Sequence, residues 1–185
     1  TSGRLAALLE RLPADAAWVH ALGFNAAAGS HCLLPAAGGG LARVLLGTGS
    51  EPMWDWASLP DRLPAATYRI DAPLSADEAD AAALGWALAT YRFDRYRKPR
   101  QDFARLVWPA AARRAAVERT ANAVFLVRAL ITTPASDMGP AELAGAAAAV
   151  AQRFGARCSI IEGEELLARN YPAIHAVGRA SSRAP

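Results

Sequence analysis

Arg128-Ala129-Leu130-Ile131-Thr132-Thr133-Pro134-Ala135-Ser136-Asp137-Met138-Gly139-Pro140-Ala141-Glu142-Leu143 is the stretch that divides this chain. Its first four residues close a long segment carrying Val117, Val124, Phe125, Val127, Leu130 and Ile131, which reads as one helix beginning with Pro109 in its first turn. From Thr132 to Gly139 the residues are those of turns. Pro140 is placed to open a new helix, because the first N–H groups of a helix have no intrahelical acceptor and a proline there loses nothing. A long helix flanked by strand-bearing regions is a domain connector, and the break after it marks the start of a second region.

Beyond the break, Ala141 to Phe154 reads as a helix that Gly155 stops in a left-handed conformation. Arg157 to Ile161 reads as a strand and Gly163 to Arg169 as a short helix. His175 to Val177 is an apolar segment leading to the polar end Ser181 to Pro185. Alternating helix and strand is the beginning of an α/β domain, whose parallel sheet needs several crossover units to cover both faces.

Before the break, Leu5, Leu8, Leu9 and Leu12 recur at helical spacing, and Pro13 is read as ending that helix. Glu10 and Arg11 interrupt its apolar residues too early for a signal-peptide core. Trp18 to Leu22, His31 to Leu34 and Arg43 to Leu46 read as strands, joined by turns at Asn25 to Ser30 and Ala36 to Gly40. Pro52, Pro60 and Pro64 mark a loop whose Trp54 and Trp56 cover a sheet edge, and Tyr68 to Ile70 adds a short strand. Ser75 with Glu78 three residues on forms a capping box for a helix running to Tyr91, and Phe103 to Trp108 reads as a strand.

Composition bounds the class. The 185 residues are 53% hydrophobic and 20% charged, the balance of a globular chain, and no apolar run approaches the ~18 residues of a spanning helix. Membrane partners are therefore not expected. A net charge of +3, with Lys98 the only lysine, is too small for the clustered cations that nucleic-acid binding requires. Cys32 and Cys158 are far apart, and neither has a Cys or His at metal-ligand spacing, so a reduced, cytoplasmic protein is the default.

Several residue groups invite a functional reading and are better explained structurally. Gly38-Gly39-Gly40 and Gly47-Thr48-Gly49 lack the lysine and hydroxyl order of a phosphate loop and sit where strands must turn. Arg92, Arg95, Arg97, Lys98 and Arg100, interleaved with Tyr91, Phe93 and Tyr96, are diluted by Asp94 and Asp102 and read as a solvated helix end. Asp77, Glu78 and Asp80, like Glu162, Glu164 and Glu165, crowd helix starts, where negative charge is favourable. His20, His31 and His175 read as satisfied core histidines, and Cys158 as a small apolar group on a strand.

Three blocks in order resemble the leucyl (cytosol) aminopeptidase family. The first is Gly85-Trp86-Ala87-Leu88-Ala89-Thr90-Tyr91-Arg92-Phe93-Asp94-Arg95-Tyr96-Arg97-Lys98. The second is the quoted stretch from Arg128 to Leu143, where Thr132 or Thr133 and Ser136 stand at positions usually Asn in that family; small polar residues form similar turns. The third is Ile174-His175-Ala176-Val177-Gly178-Arg179-Ala180-Ser181, similar to the family's strand and glycine turn ahead of its metal-binding segment.

The resemblance implies an α/β fold with three parts: a small N-terminal mixed α/β accessory domain over 1–108, a connector helix over 109–131, and the incomplete beginning of the catalytic domain over 132–185. It further implies that the parent protein is a cytoplasmic hexamer removing N-terminal amino acids from peptides. Two divalent metal ions, zinc, manganese or magnesium, serve it as cofactors, held by lysine, aspartate and glutamate. Beyond Val177 there is no Asp, Glu or Lys, and two-metal hydrolysis needs several carboxylates holding ions ~3.5–4 Å apart. No catalytic, metal or cofactor-binding residue is therefore placed in this chain, which alone is expected to be inactive. The alternative is a non-catalytic α/β module that binds protein partners or nucleic acid through its sheet or through Arg92 to Arg100.

Overall fold

A computed structural model describes residues 2–98 and 102–181. Arg100 of the basic stretch, and the polar end after Ser181, lie outside the described residues. The fold is mixed α/β and divides into two compact units, Thr1–Phe125 and Leu126–Pro185.

The first unit begins with helices α1 (Ser2–Glu10) and α2 (Pro13–Ala21). Trp18 to Leu22, expected as a strand, is therefore mostly helical. Pro13 starts this second helix instead of merely ending the first, its fixed φ suiting a first turn that also holds Asp15. A short apolar run has no periodicity that separates strand from helix, and here the packing decides. Val19 is fully buried, and the Trp18 indole Nε1 donates to the Leu33 carbonyl at 3.0 Å, occupying an edge group of the neighbouring strand.

That strand, β1 (His31–Pro35), pairs antiparallel with β2 (Leu41–Leu46), with His31 opposite Leu46 and Leu33 opposite Val44. The turn between them has Gly39 at φ +90° and Gly40 at φ +81°, a conformation that favours glycine. Period-two alternation sends the two faces of the hairpin to different cores. Cys32, Leu34 and Leu45 join Leu9 and Val19 in one, while Val44 and Leu46 pack against Leu59, Leu63, Trp86 and Ala104 in the other.

The proline-rich stretch contains a helix, α3 (Pro52–Ala57), again with proline in the first turn. Trp56 packs on the second core as expected of a covering aromatic, whereas Trp54 is exposed. Helix α4 (Ala76–Ala89) carries the predicted capping box: Ser75 Oγ accepts from the Glu78 amide, and the Glu78 carboxylate accepts from the Ser75 amide at 2.8 Å. Its alanine face allows α3 to approach so closely that a Cβ on Gly85 would lie 2.0 Å from the Met53 carbonyl oxygen. Two short strands, β3 (Thr67–Tyr68) and β4 (Arg105–Leu106), pair in parallel, and Trp86 Nε1 donates to the Ala104 carbonyl just before β4 at 3.0 Å.

Helix α5 (Arg114–Thr132) starts later than Pro109. Residues 109–112 form a turn closed by the Ala112 amide on the Pro109 carbonyl at 3.0 Å. An Asp80 carboxylate oxygen then accepts from the Arg113 amide at 2.7 Å, so a side chain distant in sequence fixes where the helix begins.

In the second unit, α6 (Pro140–Phe154) ends at Gly155, φ +64°, as the sequence predicts. Helices α7 (Glu165–Ala168) and α8 (Pro172–Gly178) follow. Arg157 to Ile161 forms no strand, and His175 to Val177 lies in α8 instead of an extended segment. An extended run is held by ladder hydrogen bonds to a neighbour, and none forms in this unit among the described residues.

Candidate functional site

The glycine turn and the acidic groups are tied into the local framework by contacts the sequence does not announce. The Gly47 amide donates to the Ser30 carbonyl at 2.8 Å, and its own carbonyl accepts from Gly29 at 2.9 Å. A Cβ on Gly47 would stand 2.1 Å from the Ala27 carbonyl oxygen. The Gly49 amide donates to buried Asp55 at 2.7 Å. Both amides are committed to joining two loops, so Gly47-Thr48-Gly49 cradles no phosphate in this arrangement.

The acids at the start of α4 are similarly engaged. Arg113 Nε reaches Asp80, and its Nη2 reaches Asp77, each at 2.6 Å. The Arg113 amide, and then its guanidinium, hold the Asp80 carboxyl below its ordinary range. Hydrogen bonds with Ser75 do the same for Glu78. In the second unit Glu164 lies 3.3 Å from His175, Glu165 pairs with Arg169, and Glu142 accepts from the Gly139 amide. Among the described residues, no three of His, Cys, Asp or Glu converge as a metal site would require. These acids do not fit a two-metal centre.

The basic stretch is not a uniform patch. Arg92 Nη1 donates to the Ala89 and Tyr91 carbonyls at 2.8 and 2.6 Å, and its Nη2 forms an ion pair with Asp61. Its guanidinium lies 4.7 Å from the centre of the Phe103 ring. Arg92 thus closes the carboxyl end of α4 onto two loops, while Arg95 stands over Tyr96, and Arg97 and Lys98 are exposed.

The histidines are not core groups: His20 is exposed, and His31 and His175 are half-buried. Burial first, then Arg62, pushes His31 below its ordinary pKa. Cys158 is exposed because its segment is irregular, not a strand, whereas Cys32 is buried and its thiol is pushed up by burial. Asp55, Asp80, Arg92 and Arg113 hold the first unit together, and sequence reasoning missed their partnerships. Asp80 and Arg113 are separated by 33 residues, and Arg92 and Asp61 by 31, with no periodicity linking either pair.

Residues 2–109 match the M17 aminopeptidase N-terminal domain, and residues 125–185 match the catalytic domain of the cytosol aminopeptidase family. A protein of Streptomyces coelicolor described as a probable cytosol aminopeptidase is 29% identical, covering 99% of this chain and 41% of its own length. One of Bradyrhizobium, with the same description, is 29% identical over 78% of this chain and 29% of its own length. Among solved structures, a cytosol aminopeptidase from Coxiella burnetii superposes with a TM-score of 0.81 at 41% identity, covering 90% of this chain and 37% of that one. The bottromycin maturation enzyme BotP in complex with Mn gives a TM-score of 0.73 at 29% identity, covering 90% of this chain and 40% of that one. The chain therefore spans less than half the length of these relatives.

Proposed function

The chain belongs to the M17 cytosol aminopeptidase family, and from that premise we propose that it is the N-terminal part of a two-metal leucyl aminopeptidase that removes N-terminal amino acids from peptides. The carrying observation is the order of the two family matches, accessory domain and then catalytic domain, on either side of the first turns of α5. In this reading residues 1–108 are the accessory domain, 109–131 the connector and 132–185 the beginning of the catalytic domain. The metal ligands and catalytic groups lie in the part of the protein that corresponds to the relatives' remaining length. The manganese named for BotP supports a divalent-metal requirement, with manganese or zinc as the working ions and magnesium as a further candidate. The whole protein works in the cytoplasm as a hexamer; no described helix is long and apolar enough to cross a membrane.

The test compares the 185-residue chain with the longer protein. Supplied with manganese or zinc, the chain alone should not hydrolyse a leucyl anilide, while the longer protein should do so and stop when the metal is chelated. Turnover by the pure chain that disappears when one of its own acids is replaced would overturn the reading.

A further inference from the structure

No further inference is drawn: the strongest candidate, the exposed apolar stripe of Leu143, Val150 and Phe154 on α6, is the face that the rest of the catalytic domain would cover under the reading just given, and nothing in the structure points to another occupant.

Discussion

Among single residues, Asp80 carries the clearest electrostatic signature. It caps α5 through the Arg113 amide and pairs with the Arg113 side chain. Its folded pKa is depressed, so its contribution to stability is complete above the unfolded carboxylate value of about 3.9 and is lost as pH falls through the folded value. Asp80→Asn should therefore lower the thermal midpoint most near neutral pH, with wild type and variant converging as the solution is acidified below about pH 4. A difference that stays constant across that range would show that the charge is not what matters. Arg92 and its neighbours offer a second contrast. Arg92→Gln removes an ion pair and two carbonyl contacts and should visibly destabilise the first unit. Arg95→Gln and Arg97→Gln together should move stability by no more than about 0.5 kcal/mol each, as exposed substitutions do. If the double variant were the more destabilised of the two in a denaturant titration, the distinction between a tethered and a solvated arginine would fail.

Elements were legible in the sequence where their signals are local. The Ser75–Glu78 box, the Gly39–Gly40 turn and the left-handed Gly155 each follow from a few adjacent residues. Trp18 to Leu22 and the start of α5 were not legible, because packing against Leu33 and the Asp80 carboxylate settles them from elsewhere in the chain. Losing the Ser75 cap through Ser75→Ala should cost about 1 kcal/mol of stability, measurable by chemical denaturation. Gly85 lies between these cases: its place in an alanine-rich helix suggests close packing, but only the Met53 carbonyl shows how close. Gly85→Ala should destabilise the α3–α4 pair by at least about 1–3 kcal/mol, the usual cost of overpacking, since the obstructing atom is backbone. A neutral Gly85→Ala variant would mean the two helices separate without penalty.

For the molecule as a whole, the contrast between the two units governs the account. The first has two apolar clusters, centred on Leu34 and Val19 and on Leu59 and Trp86. In the second, Leu166 is the only large apolar side chain that is buried among the described residues, while Ile131, Leu143, Phe154, Ile174 and Val177 are more than half exposed. Apolar side chains left exposed in this way are what further layers of a domain cover. The sequence reading put the break after Ile131, whereas the two compact units divide between Phe125 and Leu126, within α5. The side-chain partnerships of the candidate groups were not legible, because they join residues remote in sequence. The most direct test is amide hydrogen exchange on a monomeric sample of these 185 residues. Strong protection through the first unit, with rapid exchange from about Thr133 onward, is the predicted result. Equal and strong protection across both units would contradict the picture of an accessory domain followed by the beginning of a catalytic one.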